Sequence, residues 1–143
     1  MCGAHAAVRS LVAEMVGGND RPTVVDIEAG LEHLSRGTAS GVDTLLVIVE
    51  PYFKSMETAA RVSELGHELG IGKVFGVANK VSSSDEERDL RAFCGARGLD
   101  ILGVVPQDEL VRTAERRGVG PLDVAASGPA IDSIGKLAQA LTS

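Results

Sequence analysis

The chain has 143 residues, 44% apolar and 24% charged, enough for a single domain (1–143) with its own core. Fourteen Lys and Arg face twenty Asp and Glu, a net charge of −6 without a basic run, which speaks against nucleic acid as a partner. No apolar stretch approaches the roughly 20 residues of a membrane span, so no stable membrane insertion is expected.

The start, MCGAHAAVRS, lacks the apolar core of a secretory signal. A cytoplasmic location follows as an expectation, with Cys2 and Cys94 reduced. Residues 4–16 read as a helix, with Val8, Leu11, Val12 and Met15 on one face. GGNDRP stops it. Strands and helices then alternate. Strands are expected at Thr23–Ile27, Thr44–Glu50, Lys73–Ala78 and Asp100–Val105, and helices at 55–69, 84–97, 107–117 and 129–142. Ser55 is expected to cap the first of these helices and Gly70 to stop it. Ser84, with Glu87 three residues on, is expected to form a capping box.

Apolar strands without alternation are buried on both faces, as in a parallel sheet covered by helices. The fold class is therefore α/β, with three layers and a mostly parallel sheet of about four strands. In such sheets ligands bind beyond the carboxyl ends of the strands. Here those ends read DIEAG, EP, NK and PQD. Asp26 and Glu28 follow an apolar run, and isolated buried carboxylates are costly unless paired, hydrogen-bonded or metal-bound. An Asn after an apolar strand, as in GVANKV, suits a purine edge because its amide both donates and accepts. Pro106 leads a rigid turn, VVPQDELV, at the next strand end.

The ordered set DIEAGLEHLSRGT, GVANKV and VVPQDELV, together with CGAHAAVR, resembles the MinD/ParA deviant-Walker ATPases. It looks closest to their CooC-like branch, the maturation ATPases associated with nickel insertion into carbon monoxide dehydrogenase. The resemblance implies ATP or ADP with magnesium as ligand. It makes Asp26 the Walker B-type acid, Glu28 a switch residue and Gly30 the switch glycine. It makes Asn79 the adenine-reading residue, with Pro106 and Asp108 in the adenine-side loop and Lys80 beside them as a solvated neighbour. In that branch a Cys-x-Cys pair holds a metal across the dimer, and Cys2 lies where its second cysteine would be. With His5 one helical turn on, Cys2 is the candidate ligand for nickel or zinc at a dimer interface. The default reading of His5 is nonetheless a surface residue, like His33 and His67, and Cys94 reads as a small core hydrophobe.

No G-x-x-x-x-G-K followed by Ser or Thr occurs in the sequence. The chain thus resembles the C-terminal part of the family, an incomplete P-loop fold that is not expected to be catalytic alone. In the family the P-loop strand lies between the strands matching 23–27 and 44–50. A gap is expected there, or direct pairing of those two strands. The partners implied are a second copy or a P-loop-bearing chain, and a metalloenzyme client. Two other readings stand beside this one. The first is a non-catalytic module that dimerises with or regulates a full-length relative. The second is a flavodoxin-like receiver with Asp26 as phosphoacceptor.

Overall fold

The computed structural model describes residues 22–26 and 42–142. Three parallel strands form one sheet in the order β1 (Thr44–Val49), β2 (Lys73–Val81), β3 (Ile101–Pro106). Between them run α1 (Phe53–Glu68) and α2 (Ser84–Gly95). After β3 come α3 (Glu109–Arg117), the single turn α4 (Pro121–Val124) and α5 (Pro129–Thr142).

The strands alternate between two apolar clusters, and this makes the three layers. Val47 and Val49 of β1 and Val74 and Ala78 of β2 pack with Ala59 of α1 and with Leu90 and Cys94 of α2. Val77 and Val105 point the other way, onto Ala130 and Leu137 of α5. Gly103 permits that second contact. A β-carbon there would lie 2.5 Å from Leu137 Cδ2, so a larger residue would force the Leu137 side chain to move. Near β1 the same face is open, and Ile48 is 58% exposed.

Local chemistry sets the helix ends, and neither expected serine cap, Ser55 or Ser84, is the one used. Ser55 does not cap α1. Its Oγ turns back to accept from Glu50 N–H at 2.9 Å, and the helix starts earlier, from Tyr52. Ser83 rather than Ser84 caps α2, accepting from Glu86 N–H at 3.2 Å. The carboxylate of Glu86, not Glu87, closes the turn by accepting from Ser82 N–H at 2.8 Å and Ser82 Oγ at 2.7 Å. These bonds hold the Glu86 carboxyl below its ordinary range. Gly70 ends α1 as expected, with φ +82°.

The strand expected at Thr23–Ile27 is not formed over its described part. Residues 23–26 pair with no strand and are exposed, Val24 by 93%. A strand needs a neighbour to take its N–H and C=O groups. The outer edge of β1 has no such partner among the described residues, so neither direct pairing nor a fourth strand is seen there. The helix expected at 4–16 lies outside the described residues.

Candidate functional site

Because the strands are parallel and consecutive, their carboxyl ends lie side by side. Glu50 and Pro51 leave β1, Asn79 and Lys80 lie just before the last residue of β2, and Pro106 ends β3, followed by Gln107 and Asp108. The predicted convergence is present for these three ends. The fourth, Asp26, is exposed at the end of its described segment. Glu28, Gly30, Cys2, His5 and His33 lie outside the described residues. His67 is exposed and Cys94 is in the core, both as expected; burial pushes the Cys94 thiol up, which keeps it protonated and inert.

Asn79 is half-buried, and among the described residues its side-chain amide has no hydrogen-bond partner. It pairs in register with Val105, on the α5 side of the sheet. Lys80 is solvated as expected, but it is not free. Its Nζ donates to Glu50 Oε1 at 2.8 Å, tying the ends of β1 and β2. That carboxylate raises the lysine above its ordinary pKa, first by the hydrogen bond and then by its charge. Both side chains are substantially exposed, so the pair adds only about 0–1 kcal/mol to stability.

Asp108 does work that the sequence did not reveal. One carboxylate oxygen accepts from Leu110 N–H at 2.9 Å, capping α3. The other accepts from Ala130 N–H at 3.0 Å, at the start of α5, 22 positions along the chain. Its side chain is thus engaged on both oxygens. The local part was legible, because Asp before an apolar period is a cap signal. The bond to Ala130 had no sequence signal. Asp108→Ala is expected to cost about 1–2 kcal/mol, with one cap lost on each helix. Urea unfolding would measure it, and an unmoved midpoint would show that the caps carry no weight in solution.

Among the described residues no group of three or more His, Cys, Asp or Glu could hold a metal ion. Nor is any described helix long and apolar enough to cross a membrane.

No protein-family model matches the chain. It is 33% identical over 124 residues to the carbon monoxide dehydrogenase accessory protein CooC of Rhodospirillum rubrum, across 87% of this chain and 46% of that protein. It is 36% identical over 118 residues to an ATP-binding protein of Methanocaldococcus jannaschii, across 82% of this chain and 46% of the relative. The chain is a homologue of CooC and of this ATP-binding protein. It spans about half the length of these curated relatives.

Solved structures agree on the fold of this CooC-related chain. A ParA-family ATPase from Chlorobium tepidum TLS superposes with a TM-score of 0.74 at 22% identity, over 91% of this chain and 54% of that one. MinD from Pyrococcus horikoshii OT3, solved with Mg-ADP, gives 0.67 at 16% identity, over 96% and 56%. The α/β, three-layer expectation therefore holds, with three described strands where about four were expected. The receiver-like alternative finds no support among these relatives.

Proposed function

We propose that the carboxyl ends of β1, β2 and β3 form the base side of an ATP site, with Asn79 reading the adenine edge. The observation that carries this is the half-buried Asn79 amide, without a side-chain partner among the described residues, at the strand ends of a chain homologous to ATP-binding proteins. The half-buried amide carries both a donor and an acceptor without a side-chain partner among the described residues, and a purine edge supplies one of each. Pro106 and the backbone of residues 106–108 wall the base on the β3 side, and Lys80 stands beside it in solvent. The phosphate side falls to Asp26, Glu28 and Gly30 together with a Gly-rich, lysine-bearing loop, a motif that does not occur in these 143 residues.

Magnesium fits this donor set. It keeps several waters and is held by one or two carboxylates plus phosphate oxygens, so a lone acid such as Asp26 suffices on the protein side. When bound, it neutralises charge on the phosphates. Asp26 would orient a metal-bound water, and the backbone N–H of Gly30 would meet the γ-phosphate.

In the complete protein we expect ATP binding to drive dimerisation, with a metalloenzyme as client. This extends to the chain what is printed of its CooC relative, a carbon monoxide dehydrogenase accessory protein. Nickel or zinc at Cys2 and His5, shared across a dimer, belongs to the same proposal. The test is calorimetry on the chain joined to a P-loop-bearing segment. There Asn79→Ala should weaken ATP binding by about 1–3 kcal/mol, the cost of leaving one polar edge unpaired. Unchanged affinity would remove Asn79 from the base.

A further inference from the structure

The end of β2 holds a feature that base reading by Asn79 does not by itself use. Lys80 has φ +57°, alone among the described non-glycine residues in the left-handed region. A β-carbon there crowds the backbone, which is why glycine or Asn usually fills such positions. The register explains the placement. Asn79 pairs with Val105 and Val81 with Pro106, so Lys80 is an extra residue bulged out of the ladder.

The bulge changes which side chains face which layer. Val74 and Ala78 face the cluster under α1 and α2. Strict alternation would put residue 80 on that face next and bury its ammonium. Instead Val81 fills the place, 7% exposed and within the same cluster. Lys80 is turned out to Glu50, 2.8 Å away at the end of β1. Asn79 keeps its station on the opposite face, beside Val105.

We propose that Lys80 is a positioning residue, its left-handed bulge, clipped to Glu50, holding the Asn79 amide where a purine edge meets it. The inference rests on the base-side reading above. It adds that the backbone shape at Lys80, more than its charge, sets that reading.

Adenosine is the probe, since it offers the base without phosphates and needs no Gly-rich loop. The isotope-labelled chain would be titrated with adenosine and with guanosine while the Asn79 side-chain amide is followed by NMR. Lys80→Gly keeps the left-handed turn and should bind adenosine within about twofold of the parent. Glu50→Gln, which weakens only an exposed pair, should change binding by less than about fivefold. Lys80→Val, a β-branched residue that resists positive φ, should bind adenosine about tenfold more weakly and lose the preference over guanosine. Should the valine variant not fold, Lys80→Ala carries the same test with a milder clash, expected between glycine and valine. Full adenosine preference in the valine or alanine variant would overturn the positioning role. So would a tenfold loss in Lys80→Gly, which would assign the effect to the ammonium. An Asn79 amide unmoved by adenosine in the parent chain would instead overturn the base-side reading, and the inference with it.

Discussion

The 143-residue polypeptide by itself is expected to turn over no ATP and to hold MgATP no better than millimolar. Phosphoryl transfer in P-loop enzymes is positioning and charge stabilisation, and the loop that supplies both has no match in this sequence. What remains is a base wall. One or two hydrogen bonds from Asn79 and a partly covered ring supply about 4 kcal/mol, which corresponds to a Kd of about 1 mM. The triphosphate gains nothing further. Lys80 already faces the Glu50 carboxylate, and the net charge of −6 opposes an anion. Phosphate release and calorimetry on the purified polypeptide would check this, repeated after a P-loop-bearing segment is supplied. Micromolar binding by the polypeptide alone, lost on Asp26→Ala, would mean a phosphate site exists elsewhere in the chain.

Leu90→Ala should lower the free energy of unfolding by about 2–5 kcal/mol, the range for truncating a buried leucine. Leu90 is 1% exposed and belongs to the cluster between the sheet and the two helices α1 and α2. With aromatics only 3% of the chain, that cluster is built of aliphatic side chains with few large rings to slump into a void. A small domain has about 5–15 kcal/mol in all, so the loss is a large share. The urea midpoint should fall with the slope unchanged. On the same helix Arg88, whose ion pairs to Asp85 and Asp89 are exposed, should tolerate alanine with little effect. A Leu90→Ala midpoint as high as that of Arg88→Ala would mean that α2 does not pack on the sheet as described.

The alternation of strand and helix was legible because apolar runs of five or six residues, broken by Gly, Pro and Ser, carry their own length signal. Residues 129–142 were bounded correctly, since a Gly-Pro start fixes that helix. The end of β2 was not. Asn79 and Lys80 read as a strand terminus, yet the strand continues to Val81, because the bulge ejects the one residue that would have been buried with its charge. Nor could the strand at 23–27 be judged locally. Its residue types favour a strand, but a strand exists only against a neighbour, and local propensity does not name one. Asn79 and Pro106 were singled out from residue type and position, and the structure places both at strand ends. The pairing of Lys80 with Glu50, 30 positions apart, and the reach of Asp108 to Ala130 depend on the sheet that brings them together.

That reach has a consequence for how the turn after β3 meets a ligand. Asp108 is held by two helices that both follow it in the chain, so the turn cannot shift without disturbing one of them. The ordering of a flexible loop is commonly charged against affinity at the moment of binding. Here it has been settled during folding, and Pro106, with its fixed φ, removes another degree of freedom. A molecule arriving at this corner meets a surface with little conformational entropy left to lose, and whatever contacts it makes there count almost in full.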